Sequence, residues 1–367
     1  MSRSGIRITR VMTHAALVVL AVLSGCALEP ESPVKRDVII AYPPEEPRFY
    51  YERTIMSSAD IVDEEKGAGL RRMMTGEAKS GEGMGKPYGL AVKKGKLYVS
   101  DTVRKEILLF DIPGKQFKQI GDNEPGNLSL PLGLDLDAVG NLYVADGTLR
   151  KVMVYDPAGK YLRSIGEGHL NDRPSGIAVD PAGSRVYVVE TGGVSSTNHR
   201  VRVFDGKTGQ HLMDIGKRGS AQGEFNLPRD VVLAPNGKLY VVDGGNFRVQ
   251  VFESDGKFVR SFGEVGQQTG QFSRPKELDV DREGNLYVVD TAFGNFQIFN
   301  AEGQLLLYVG GRSANNEPGK FMLPSGIAVD EDGRVYMVDQ YHRKVDVFRP
   351  AALDAKAGFT ALSEAKK

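Results

Sequence analysis

Tryptophan is missing from all 367 residues, and cysteine occurs once. The first absence removes the Trp-Asp signature of one large class of β-propellers. The second excludes a disulfide framework, a zinc ribbon and a paired-cysteine redox centre, since each needs at least two thiols. An excess of one charge is lacking too, because Lys and Arg number 47 and so do Asp and Glu. A protein whose main partner is nucleic acid carries a basic excess, so no nucleic-acid partner is expected. The Gly-x-Ser-x-Gly elbow of many serine hydrolases does not occur. Histidine is scarce: beyond residue 25 there are only His169, His199, His211 and His342, and no two stand at His-x-His or His-x-x-x-His spacing. A zinc site is therefore not expected from local sequence, although histidines can converge across a fold. Glycine, in contrast, is abundant at 44 residues, against a usual share of roughly 7%. That excess predicts many tight turns.

The chain opens like an export signal. Arg3, Arg7 and Arg10 precede an apolar run from Ala15 to Leu23, which is far shorter than the ~20 residues of a spanning helix but suits a signal-peptide core. The run ends in Leu23-Ser24-Gly25-Cys26, which resembles the bacterial lipobox. The resemblance implies cleavage before Cys26, lipidation of Cys26, and, with Ala27 next, sorting to the outer membrane. The alternative is an ordinary secretory signal with an incidental cysteine. Removing residues 1–25 takes three Arg and no acid, which leaves a net charge of −3. Such a surface has no electrostatic route to anionic lipid, so the expected membrane contact is the lipid on Cys26.

The middle of the chain repeats six times. The copies begin at Pro87, Pro131, Pro174, Pro228, Pro275 and Pro324, 43 to 54 residues apart. A turn glycine follows each (Gly95, Gly140, Gly183, Gly237, Gly284, Gly333), and a Leu/Val-Tyr-Val segment then ends in an acid: Asp101, Asp146, Glu190, Asp243, Asp290 or Asp339. An alternating segment closes on Phe110, Tyr155, Phe204, Phe252, Phe299 or Phe348, nine residues past the acid in five copies and fourteen in the third. A fourth segment, as in Lys160-Tyr-Leu-Arg-Ser-Ile-Gly166, completes four short strands per copy. Four strands every ~48 residues describe a propeller blade.

These segments resemble the NHL-repeat family, whose blades read Pro-x-Gly-Ile-Ala-Val-Asp, Gly-x-Leu-Tyr-Val-x-Asp, Arg-Val-x-Val-Phe. The resemblance implies an all-β, six-bladed NHL propeller, with TolB-like domains as architectural relatives. The sixth copy lacks a fourth strand after Phe348, and Arg48–Ile55 reads like one, so the N-terminal strand is expected to complete blade six and close the ring. The expected organisation is a signal peptide over 1–25, a Pro-rich tether over 26–47, the propeller over 48–349 and a polar tail over 350–367. A short amphipathic helix is expected within 60–74.

The recurring acids are read as hydrogen-bond acceptors for nearby backbone and for Arg104, Arg150, Arg200, Arg248 and Arg343. The departures from the repeat carry more information. Blades four and five replace a small residue and glycine by Arg229-Asp230 and Lys276-Glu277, which places four charges near the channel mouth. Two readings stand: ion pairs that cap the disc, or a site for a polar ligand or peptide terminus. Blade three has a longer loop, Thr191 to His199, on the same face. Tyr88, His199, Tyr341 and His342 complete the candidate rim. Some NHL propellers are peptidylglycine amidating lyases that hold zinc with several histidines, and lactonase-type propellers use a channel metal. Neither ligand set can be assigned here residue by residue. The expected function is a monomeric, lipid-anchored binding scaffold of the cell envelope that engages an envelope protein or peptide, with no cofactor. The alternative is a hydrolase or lyase with calcium or zinc in the channel.

Overall fold

The computed structural model describes residues 40–361 apart from 65–66, 77–79 and 171. The stretch expected to be a signal peptide, residues 1–25, and residues 26–39 of the expected tether, Cys26 included, lie outside the described residues. Each of the six prolines opens the innermost strand of a sheet: Pro87–Lys93, Pro131–Leu136, Pro174–Val179, Pro228–Leu233, Pro275–Val280 and Pro324–Val329. The first residue of an edge strand is where a missing N–H is tolerated. Blade two shows the plan. Pro131–Leu136 pairs with Leu142–Asp146, that strand with Lys151–Tyr155, and that with Tyr161–Ile165, all antiparallel. Six such sheets form a six-bladed β-propeller. Blade five adds a parallel pair, Lys320–Phe321, beside its outer strand Leu305–Arg312.

Adjacent blades face each other, so the middle strands are apolar on both sides and read as continuous hydrophobic runs. In blade one, Leu97, Val99 and Leu108 pack toward blade six, while Tyr98, Ile107 and Leu109 pack toward blade two. Six hydrophobic clusters result, one at each blade interface. Each fully buried Val, Leu or Ile contributes about 1.5–3 kcal/mol relative to exposure.

The ring closes as expected: Phe49–Ile55 pairs antiparallel with Lys344–Pro350 as the fourth strand of blade six. The Thr54 hydroxyl donates to Asp346 (2.5 Å), and fully buried Arg334 pairs with Glu52 at 2.8 Å. Ala41–Tyr42 adds a fifth strand outside this one, so the end of the stretch read as a tether belongs to the sheet. The tail folds back on the same blade up to residue 361. Arg334 donates to the Ala357 carbonyl (2.9 Å) and Arg53 to that of Thr360 (2.6 Å). Ahead of blade one, the helix α1 spans Ala68–Thr75, the C-terminal part of the stretch expected to be helical.

The recurring acids act as latches. In every blade the opening proline is the register partner of the acid ending the second strand, from Pro87 with Asp101 to Pro324 with Asp339. Asp290 accepts from the Ser273 and Arg274 amides just before Pro275 and from the Ala292 and Phe293 amides of its own turn. Asp146 and Asp339 repeat this pattern. Of the arginines expected beside these acids, Arg200 and Arg248 pair with theirs. Arg104 binds Glu106 and Glu82 instead.

Candidate functional site

Because proline and acid are register partners, the inner-strand entries and the turns after the acids share one face, and the inner strands run from it along the channel. The second position after proline is held close to the next blade. A Cβ on Gly326 would stand 2.6 Å from the Tyr88 carbonyl oxygen, so a side chain does not fit. Blades four and five nevertheless carry Asp230 and Glu277 at this position. They fit because the glycines opposite make room: a Cβ at Gly176 would collide with the Asp230 carboxylate, and one at Gly326 would lie 3.0 Å from Glu277 Oε2.

Both acids line a channel cavity of about 170 Å³ together with Asp135, Asp279 and Lys93. Inner strands are edge strands, and their channel-facing amides need acceptors. Asp135 accepts from Val179 N–H (2.7 Å), Asp230 from Leu278 N–H (3.1 Å) and Asp279 from Val329 N–H (2.7 Å), each bond joining one blade to the next. Ser and Thr hydroxyls do the converse: Ser100 donates to Leu132 O, Ser175 to Arg229 O and Ser325 to Tyr88 O. Glu277 is the exception, 6% exposed and accepting no hydrogen bond from any described residue. Burial pushes Asp135 and Asp279 up to about 7 and Asp230 up to about 8. Burial also raises Glu277 well above the carboxylate range, with the Asp230 charge adding to the shift.

Above these acids sit the cations. Lys276 Nζ lies 4.3 Å from the centre of the Tyr88 ring, a cation–π contact. Burial pushes Lys276 down to about 8. Arg229 is also lowered, by burial first and then by the like charges of Arg173 and Arg274. Burial raises Tyr88, and Glu277 raises it further. No ion pair within 4 Å joins Arg229 to Asp230 or Lys276 to Glu277, so capping ion pairs are not what these four charges form.

The mouth thus brings together Tyr88, Arg229, Asp230, Lys276 and Glu277, but not the remaining rim candidates. His199 is fully buried. Its Nδ1 accepts from Leu227 N–H (3.3 Å) and its Nε2 donates to Gly193 O (3.1 Å), so it braces the long blade-three loop. Tyr341 is exposed, and His342, in the turn after Asp339, donates to the Ser313 carbonyl just past the outer strand of blade five. Neither lines the channel. Sequence reasoning missed Asp135 and Asp279. The available signal was an acid at the fourth position after proline, where the other blades carry Ala or Val.

Among the described residues no three His, Cys, Asp or Glu side chains converge to hold a metal ion. Three channel carboxylates accept backbone amides of the next blade instead of converging on one point. His169 and His211 stack at 5.9 Å beside Asp214, at the outer strand of blade three.

The NHL repeat profile matches residues 225–252, the first three strands of blade four. NHL repeat-containing protein 3 of Homo sapiens is 33% identical over 87 residues, 23% of each chain. A probable peptidyl-alpha-hydroxyglycine alpha-amidating lyase of Caenorhabditis elegans is 32% identical over 90 residues, 23% of this chain and 24% of that one. These matches span about a quarter of the relatives' length. A gluconolactonase structure from Xanthomonas campestris superposes with a TM-score of 0.55 at 17% identity, covering 73% of this chain and 86% of that one. At that identity the likeness is one of fold.

Proposed function

We propose that this six-bladed propeller with an NHL repeat is a lipid-anchored binding scaffold of the cell envelope, held at the outer membrane through Cys26, and that it docks an envelope protein or extended peptide on its proline-entry face. The observation that carries the reading is the mouth. Arg229 and Lys276 are half-buried there with no carboxylate of a described residue within 4 Å, Lys276 resting on the Tyr88 ring, and desolvated charge without an anionic partner is costly unless a ligand supplies one. A rigid disc also presents many loops that folding does not require. The Leu23-Ser24-Gly25-Cys26 segment supports the anchor.

The test is in-cell crosslinking of the full chain. Arg229→Glu with Lys276→Glu is expected to keep a cooperative melt and to abolish the crosslinked partner band, and an unchanged band overturns the proposed face. For the anchor, labelled palmitate is expected in the wild-type chain and not in Cys26→Ser. Equal labelling would exclude Cys26 as the acceptor.

The relatives' names and the unbonded carboxylate of Glu277 support a second reading, a lyase or hydrolase acting in the channel. Near-stoichiometric metal in protein purified without added metal, with a chelator-sensitive melt, would favour it over the scaffold.

A further inference from the structure

A second cavity, of about 430 Å³, opens on the proline-entry face between blades two, three and four. Three arginines line it from three separate elements: Arg150 in the turn after Asp146, Arg173 just before Pro174, and Arg229 just after Pro228. None of the three guanidinium groups makes a hydrogen bond or ion pair with any described residue. The single acid in the wall, Asp172, is committed elsewhere: it accepts from the Ser196 hydroxyl and from Asn198 Nδ2 (2.8 Å), and the Ser196 bond is the main reason its carboxyl stays below the usual range. Three guanidiniums and one carboxylate leave a formal charge of +2 facing the cavity.

The opposite wall is the long loop of blade three, Thr191 to Val194. The backbone amides of Gly192, Gly193 and Val194 find no acceptor among the described residues. Gly192 has φ +57°, and successive free amides around such a residue form an anion-binding concavity. The loop is fixed in advance, by His199 on the Gly193 carbonyl and by Arg218 Nη1 on the Ser196 carbonyl (2.8 Å). The loop that carries these amides and the three arginines therefore line one space.

We propose that this cavity binds a phosphate monoester. Such a group carries about −1.5 to −2 charge at neutral pH and three acceptor oxygens. It matches the +2 of the wall and the bidentate fork of arginine. The volume lies within the ~300–1,000 Å³ range of small-ligand pockets. A phosphorylated solute and the headgroup of a phosphatidic-acid-like lipid share this chemistry. The proposal rests on the proline-entry face being the binding face, and it needs no protein partner.

Calorimetric titration of the purified full chain with phenyl phosphate is the test. Wild-type protein is expected to bind phenyl phosphate at least tenfold more tightly than benzenesulfonate, a monoanion of similar shape. Arg150→Gln with Arg173→Gln, both exposed and without side-chain partners, is expected to keep the same melting temperature and lose at least tenfold in affinity. No binding heat, or equal affinity in the double variant, overturns the proposal. Short-chain phosphatidic acid binding tenfold better than phenyl phosphate identifies a lipid headgroup, and equal binding identifies a soluble ester. A double variant that loses phosphate but still yields the crosslinked partner leaves the scaffold standing. Phosphate binding in a chain that captures no partner leaves the cavity standing and removes the scaffold.

Discussion

Asp290 is fully buried and serves four backbone amides from two turns. Its carboxylate fixes how the chain enters blade five and how it leaves the second strand. Asp290→Ala would strand those amides away from water, at a cost of about 3–5 kcal/mol. Urea denaturation should show this as a lower midpoint with an unchanged slope, and a loss below 1 kcal/mol would mean that water replaces the carboxylate. The recurrence of this acid was legible because it falls 14 to 16 residues after the opening proline in all six copies. The channel acids were only half legible. Asp230 and Glu277 stand out against a glycine column, whereas Asp135 and Asp279 replace Ala or Val on a strand already read as apolar. Their purpose, accepting an amide of the next blade, depends on a neighbour 44 or 50 residues away in sequence. His199 misled for the same reason: its buried contacts cross from one blade to the next, and its position in a polar loop suggested exposure.

At the scale of the element, the seam of blade six is the most specialised part of the ring. Glu52 of the closing strand meets Arg334, the residue just before the second strand of blade six, both side chains almost wholly buried. Arg334 also reaches the tail at Ala357, and Arg53 reaches Thr360. Removing one member of a buried pair leaves an uncompensated charge, so Arg334→Met should cost about 3–5 kcal/mol. Arg334→Met with Glu52→Met should recover most of that loss. If thermal melts rank the double variant no better than the single, the pair is not the source of the seam's stability. The closing strand itself was readable in the sequence, since Arg48–Ile55 matches the outer segments elsewhere. The packing of the tail was not, because Ala351 to Ala361 carries no strand pattern and is held by side-chain contacts from Arg53 and Arg334.

For the whole molecule, acids buried around the channel and between blades set a pH response. Asp135 and Asp279 are pushed up to about 7, Asp230 to about 8 and Asp330 to about 6, against about 3.9 in an unfolded chain. Between those values the folded state keeps protons that the unfolded state has released. Stability from these groups is therefore complete below about pH 4 and is lost as pH rises through 6 to 8. The melting temperature should fall by several degrees from pH 5.5 to pH 7.5, a window below the titration of Lys276 near 8. Asp135→Asn should flatten the slope. A melting temperature that rises over this window would show that these carboxyls are ionised in the folded protein at low pH.

The seam also dictates an order of events. Thr54 and Asp346, bonded across it, are 292 residues apart in the chain. The strand that completes the circle is synthesised before every blade, and its partner, Lys344–Pro350, only after five blades have been made. For that whole interval the first strand has no mate and the growing arc has two raw ends. Joining them is the slow, long-range step that such separation imposes, and a helper that shields early strands would be needed most by nascent chains that have not yet reached residue 350.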